Sequence, residues 1–178
     1  MTSNADAGHR ILGSLRSADG KGVLRIQDRF DTDIDDLWSA VTDPRRLARW
    51  YGVVTGELRL GGEFRAQVYA SGSDGHGRVD VCEPPRRLLL TMDPGQPNEQ
   101  VIEATLAADG GQTVLVFEKR GMPLGHLAAY GAGWQVHFED LADHVAGRER
   151  RDADARWDEL EAVYQDLAAA SGQGSTSS

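Results

Sequence analysis

Cysteine is almost missing from this chain. Cys82 stands alone, which excludes an intrachain disulfide and fits a reducing cytoplasm. Long apolar runs are missing as well. No stretch approaches the ~18 residues that a membrane-spanning helix needs, so no membrane association is expected. The opening MTSNADAGHR lacks the basic and apolar regions of a signal peptide, and a cytoplasmic location is the expectation. Positive charge is scarce: 19 Lys and Arg stand against 28 Asp and Glu, net −9. Nucleic acid is therefore a poor partner, because phosphate contacts need a basic face. Catalytic signatures are absent too. No CxxC or HExxH spacing offers a metal site, and no GxSxG elbow offers a nucleophile. The glycine-rich GMPLGHLAAYGAGW matches neither a phosphate cradle nor a dinucleotide fingerprint. No metal, no cofactor and no catalytic residue is expected.

What is present is one domain's worth of chain, 178 residues with ordinary apolar content. Residues 1–9 are small and polar and are expected to be disordered. Arg10–Ser17 and Gly22–Phe30 read as extended arms about Asp19-Gly20, a hairpin signal. The stretch DTDIDDLWSAVTDPRRLARWYG then gives two short amphipathic helices. Asp43 can cap the second and Pro44 suits its first turn. Helices this short need a larger surface to lie on.

A meander follows. Glu63–Ala70 alternates Phe64, Ala66 and Val68 against Glu63, Arg65 and Gln67, which is the period of a strand. SGSDGHG is a turn, Val79 and Val81 resume the alternation, and Pro84-Pro85 breaks it. Arg87–Met92, Val101–Leu106 and Thr113–Arg120 complete about seven strands in antiparallel succession. Gly121–Gly133 reads as an irregular, glycine-rich connection, with room for a turn of helix over Leu124–Ala129. From Gly133 the period changes: Trp134, Phe138, Leu141 and Val145 form one stripe of a helix. A further helix over 148–170 carries Trp157, Leu160, Val163, Tyr164 and Leu167, and 171–178 reads as a disordered tail. Residues 139–166 hold ten Asp or Glu and four Arg, which reads as a solvated face or as a surface for a basic partner.

The order TDPRRLARWYG, LGGEFR, VCEPPRRLLLTM, TVLVFEKRG and GWQVHFEDLADHV resembles the SRPBCC superfamily of START domains, polyketide cyclases and birch-pollen-allergen-like proteins. Within it the pattern is similar to the AHSA type, named after activators of the heat-shock-protein ATPase. The resemblance spans about 22–147 and places an SRPBCC domain over 10–147. It implies an α+β helix-grip fold: a curved antiparallel sheet wraps a long C-terminal helix, and two short helices between the first strands close one end. It also implies a cavity for an apolar ligand between helix and sheet. The 10–17 arm and the 148–170 helix fall outside this core. The extra helix has apolar surface to cover, on the sheet or in a homodimer interface.

If Trp134, Phe138 and Leu141 face the sheet, they meet Phe64, Val68, Leu90, Met92, Ile102, Leu106, Leu115 and Phe117, with Trp50 and Tyr51 at the mouth. The ligand-binding candidates are therefore Trp50, Tyr51, Phe64, Val68, Leu90, Met92, Phe117, Trp134, His137, Phe138 and Leu141, each of which can equally be close-packed core. Polar handles are Tyr51, Tyr69, Tyr130, His137 and the Trp134 indole. His137 is also a candidate acid or base near neutral pH. His126 lies where the pocket entrance would be shaped, and His9, His76 and His144 read as surface. Asp35-Asp36 and Glu139-Asp140 read as cap and surface charge. Three functions follow: a carrier or sensor for a small apolar or aromatic molecule, a cyclase- or hydrolase-like enzyme using polar groups of the same cavity, and a partner module related to the chaperone ATPase activators. The eukaryotic activators carry a further N-terminal domain for which this chain has no room, which weighs against the third.

Overall fold

The structure is a computed structural model, and it describes residues 10–172. The segments expected to be disordered, 1–9 and 171–178, lie outside the described residues, except that Ser171 and Gly172 continue the last helix. Eight strands form one antiparallel sheet: β1 (Gly13–Ala18), β2 (Lys21–Phe30), β3 (Gly52–Gly56), β4 (Glu63–Val68), β5 (Asp74–Glu83), β6 (Arg87–Met92), β7 (Gln100–Asp109) and β8 (Gln112–Met122). Their order is β1-β2-β8-β7-β6-β5-β4-β3, so the long β8 closes back on β2 and the two ends of the sheet are β1 and β3. Register shifts between Gly22 and Val23 in β2 and between Val79 and Val81 in β5 are bulges, which bend and twist a sheet locally. Four helices accompany it: α1 (Ile34–Thr42), α2 (Pro44–Trp50), α3 (Leu127–Val145) and α4 (Ala153–Gly172). The fold is α+β and of the helix-grip kind, with α3 lying in the hollow of the sheet.

Three expectations need correction. The strand that the sequence did not reveal is β3, five residues bounded by glycines and too short to display an alternation. The turn expected over 71–77 is shorter, because β5 already begins at Asp74. Helix α3 starts at Leu127, not Gly133, so Gly131 and Gly133 lie inside it. Glycine within a helix costs about 1 kcal/mol each. Here the missing side chains admit α4: a Cβ on Gly131 would fall 2.4 Å from the Tyr164 ring, and one on Gly133 2.6 Å from the Trp157 ring.

The α1–α2 pair is held as its sequence suggests. Asp33 caps α1 by accepting from the Asp36 amide at 2.8 Å, and Asp43 caps α2 through the Arg45 amide at 2.9 Å. The buried Trp50 indole N–H donates to the Ala40 carbonyl at 2.9 Å, locking one short helix to the other. Arg46 ties both to α3: it donates to Asp36 Oδ1 at 2.8 Å and to His144 Nε2 at 3.1 Å, so His144 is not a free surface residue.

Helix α3 ends at Val145, and just beyond it Gly147, with a φ of +75°, is the left-handed stop that glycine supplies freely. The chain then reverses and α4 packs on α3 and β1. Leu160 and Tyr164 are fully buried there, and the Tyr164 hydroxyl accepts from the Gly13 amide at 3.0 Å while donating to Gln135 Oε1 at 2.7 Å. Leu160 and Tyr164 of the α4 stripe are thus covered within their own chain, whereas Val163 stays exposed. Part of the acidity of this region is internal. Asp140 and Asp143 are buried rather than solvated, with Arg150 on Asp140 at 3.3 Å and with Arg148 and Arg151 on Asp143 at 3.0 and 2.9 Å. Arg156 reaches Glu139 at 2.7 Å. These pairs hold the 146–152 connection against α3.

Candidate functional site

Two adjoining hollows lie between α3 and the sheet. The first, of about 360 Å³, is walled by α1 and α2 at one end, by β5 to β8 beneath and by α3 above. Nine of the eleven expected ligand-binding residues line it: Trp50, Tyr51, Phe64, Leu90, Met92, Phe117, Trp134, Phe138 and Leu141. Other walls that the sequence did not single out are Trp38, Val41, Leu58, Leu88 and Ala104, together with Cys82, whose strand places it against apolar neighbours. The lining is nearly all carbon. Trp50 contributes only its ring, since its N–H is spent on Ala40. The Asp43 carboxylate serves as a helix cap, and its hydrogen bonds from Arg45 hold it below the usual carboxylate range.

The second hollow, of about 410 Å³, takes the other two expected residues, Val68 and His137. Its character differs. Ala66, Met92, Ile102, Ala129 and Trp157 give it apolar patches, but Gln100, Lys119, Tyr130, His126 and His137 also line it, with Asp74, Asp93 and Asn98. Tyr51, Met92, Ile102 and Trp134 belong to both hollows and form the wall between them. The Tyr51 and Trp134 rings are stacked there with centroids 5.9 Å apart, and His137 packs beside Tyr51 at 4.9 Å. Tyr51, half-buried, is therefore part of the partition between the two hollows. Burial pushes its hydroxyl up to about 12, so it keeps its proton at neutral pH. Tyr69 is no handle for either hollow: its hydroxyl donates outward to the Ala48 carbonyl at 2.7 Å, under the Arg150 guanidinium.

His137 is 5% exposed, and its Nδ1 has no hydrogen-bond partner among the described residues. Burial, aided by the positive charges of Arg150 and Lys119, pushes its pKa down to about 3. The ring is neutral at pH 7, which removes it as a proton donor near neutrality and leaves an unpaired polar edge in an aromatic setting.

The residue that sequence reasoning missed is Lys119. It is 8% exposed and makes no ion pair or hydrogen bond among the described residues. Its amine lies 4.5 Å over the Tyr130 ring and 5.5 Å from that of Trp134, two cation–π contacts. Burial lowers its pKa to about 8, against a small opposing pull from Asp93. The sequence did carry a signal. Thr113, Leu115 and Phe117 are the inward positions of β8, and the next inward position of that alternation is Lys119. Among the described residues no cluster of His, Cys, Asp or Glu could hold a metal ion, and no helix is long and apolar enough to cross a membrane.

This geometry has known counterparts. Residues 31–146 match the family model of activator of Hsp90 ATPase homolog 1-like proteins. The crystal structure of CalU16 from Micromonospora echinospora is similar at 28% identity, with 88% of this chain and 96% of that one covered and a TM-score of 0.71. Its solution structure gives 26% identity, 96% and 100% coverage, and a TM-score of 0.73. DynU16, a protein in the dynemicin biosynthetic locus, matches at 28% identity over 76% of this chain with a TM-score of 0.66, and this chain spans about half of its length, 51%. No curated protein matches.

Proposed function

We propose, on the premise that this chain belongs to the activator of Hsp90 ATPase homolog 1-like family of the SRPBCC superfamily, that it is a cytoplasmic binding protein for a small apolar or aromatic molecule. The observation that carries this reading is the first hollow, about 360 Å³ of space walled by carbon. Close-packed interiors hold few voids larger than a water molecule, and a carbon-lined space of this size is the usual form of a ligand pocket. The family supports the same reading, since its members bind hydrophobic ligands, and DynU16 lies in a biosynthetic locus.

The test is fluorescence titration with N-phenyl-1-naphthylamine, a neutral aromatic probe. The wild type is expected to bind it in the micromolar range. Ala104→Phe, which projects a ring into the first hollow from β7, is expected to weaken binding at least tenfold. If neither this probe nor other neutral aromatics bind, the reading fails.

The cyclase- or hydrolase-like reading draws its support from the second hollow, where Lys119 and His137 converge as buried groups with shifted pKa values. It requires turnover of a bound compound that Lys119→Met abolishes without loss of binding. The first hollow offers no such pair, so binding is the function the geometry supports best.

A further inference from the structure

The second hollow has a chemistry of its own. Lys119 presents three N–H donors to this pocket, and among the described residues the amine has no hydrogen-bond or ion-pair partner. A buried ammonium with nothing opposite it is unfavourable, and proteins normally pair such a group. Two aromatic faces soften the charge here but supply no counter-charge. The Asp74 and Asp93 carboxylates line the same hollow without forming an ion pair with the amine, and Asp93 is engaged by Asn98 at 2.8 Å. Gln100, 7% exposed, bonds the Tyr130 hydroxyl only at 3.4 Å, so its amide is available as a second donor beside Lys119. The wall shared with the first hollow, Met92, Ile102 and Trp134, is apolar.

We infer that the ligand is an aromatic or apolar acid, whose anionic group sits in the second hollow against the Lys119 amine while its apolar body lies on the Met92, Ile102 and Trp134 wall. This assignment rests on the binding function proposed above and narrows its ligand class. The anion supplies the missing counter-charge, and the amide of Gln100 and the hydroxyl of Tyr130 lie on the same lining to donate to it. Lys119 acts by recognition, and no bond is made or broken.

A matched pair of probes tests this. 8-Anilinonaphthalene-1-sulfonate and N-phenyl-1-naphthylamine share one aromatic skeleton and differ by the sulfonate. The wild type is expected to bind the sulfonate at least tenfold more tightly than the neutral probe. Lys119→Met is expected to erase that preference, and Lys119→Arg to retain it. Lys119→Gln serves as a second neutral variant should the methionine variant misfold, with thermal melting as the check on both. Equal binding of the two probes by wild type, or a preference that survives in both neutral variants, overturns the assignment and leaves the binding function standing. Failure of both probes to bind overturns the binding function and the assignment with it.

Discussion

Replacing Lys119 by methionine should stabilise this protein, which is an unusual expectation for a buried residue. Burial lowers the folded-state pKa from 10.5 to about 8, so the charged form is disfavoured by about 3 kcal/mol at pH 7. The contacts to Tyr130 and Trp134 give back about 1–2 kcal/mol. A methionine fills much of the same volume with no charge to desolvate. The net expectation is a gain of about 1–2 kcal/mol at pH 7, or about 2–8 °C in Tm for a chain of this size. The pH dependence follows from the sign of the shift. Between pH 8 and 10.5 the unfolded chain holds a proton that the folded chain has released, so wild-type stability rises through that window. The advantage of Lys119→Met is therefore full below pH 8 and shrinks as the pH approaches 10.5. Asp74, Asp93, His126, His137, Tyr51 and Tyr130 face the same hollow or its wall, but they are common to both proteins and largely cancel in the difference. Urea denaturation of both proteins at pH 7, 9 and 10.5 measures this. A variant less stable than wild type at pH 7 by more than 1 kcal/mol would refute the reasoning, because it would mean that the amine has a partner worth more than its desolvation.

Three further outcomes are expected. Tyr164→Phe removes a hydroxyl that accepts from Gly13 and donates to Gln135; urea denaturation should show a loss of about 1–3 kcal/mol, since the Gly13 amide is left without that partner. Gly133→Ala should destabilise despite the better helix propensity of alanine, by about 1–3 kcal/mol, because the new methyl meets the Trp157 ring; a Tm above wild type would show that α4 sits on α3 more loosely than described. For His137, the folded pKa near 3 lies below the unfolded value of 6.5, so wild-type stability is full above pH 6.5 and falls as the pH drops towards 3. By pH 4.5 the loss from this one group is about 2–3 kcal/mol, and His137→Leu should lack it, as read from the difference between the two proteins' urea midpoints at pH 7 and 4.5.

The fold was legible where residues follow a period. The alternation of Phe64, Ala66 and Val68, the Trp134–Phe138–Leu141 stripe and the Asp43-Pro44 cap each express a local rule, and each is met. The errors fall where tertiary contact overrides such rules. The glycine-rich stretch up to Gly133 read as irregular because the sequence does not show that Tyr164 and Trp157 arrive on top of Gly131 and Gly133. Asp140 and Asp143 read as solvated charge because Arg148, Arg150 and Arg151 reach back to them only after the chain reverses at Gly147. The first hollow was anticipated through the family resemblance, which implies a cavity, while the apolar pattern supplied the residues of its walls. The second was missed, although the β8 alternation points to it, because its defining residue looks like the polar end of a strand. Lys119 is followed by Arg120 and Gly121, a sequence that suggests exit into solvent, whereas β8 continues to Met122 and keeps Lys119 inside.

The second hollow also depends on a part of the chain that the family pattern does not cover. The family match ends at residue 146, and Trp157 lies beyond it on α4, yet its ring lines the hollow beside Lys119 and Tyr130. That ring reaches its place only because position 133 has no side chain, and α4 is held there by Arg156 on Glu139 and Tyr164 on Gln135. The two hollows therefore have different origins. The first is bounded by the sheet, α1, α2 and α3, the elements common to helix-grip proteins, and its carbon lining recognises little beyond size. The second is completed by an added helix and contains a charge. Selectivity among apolar ligands needs an interaction that one of them can make and another cannot. Among the described residues, the Lys119 amine, which has no ion-pair or hydrogen-bond partner, and the Trp157 ring on the same lining are where that interaction can be made.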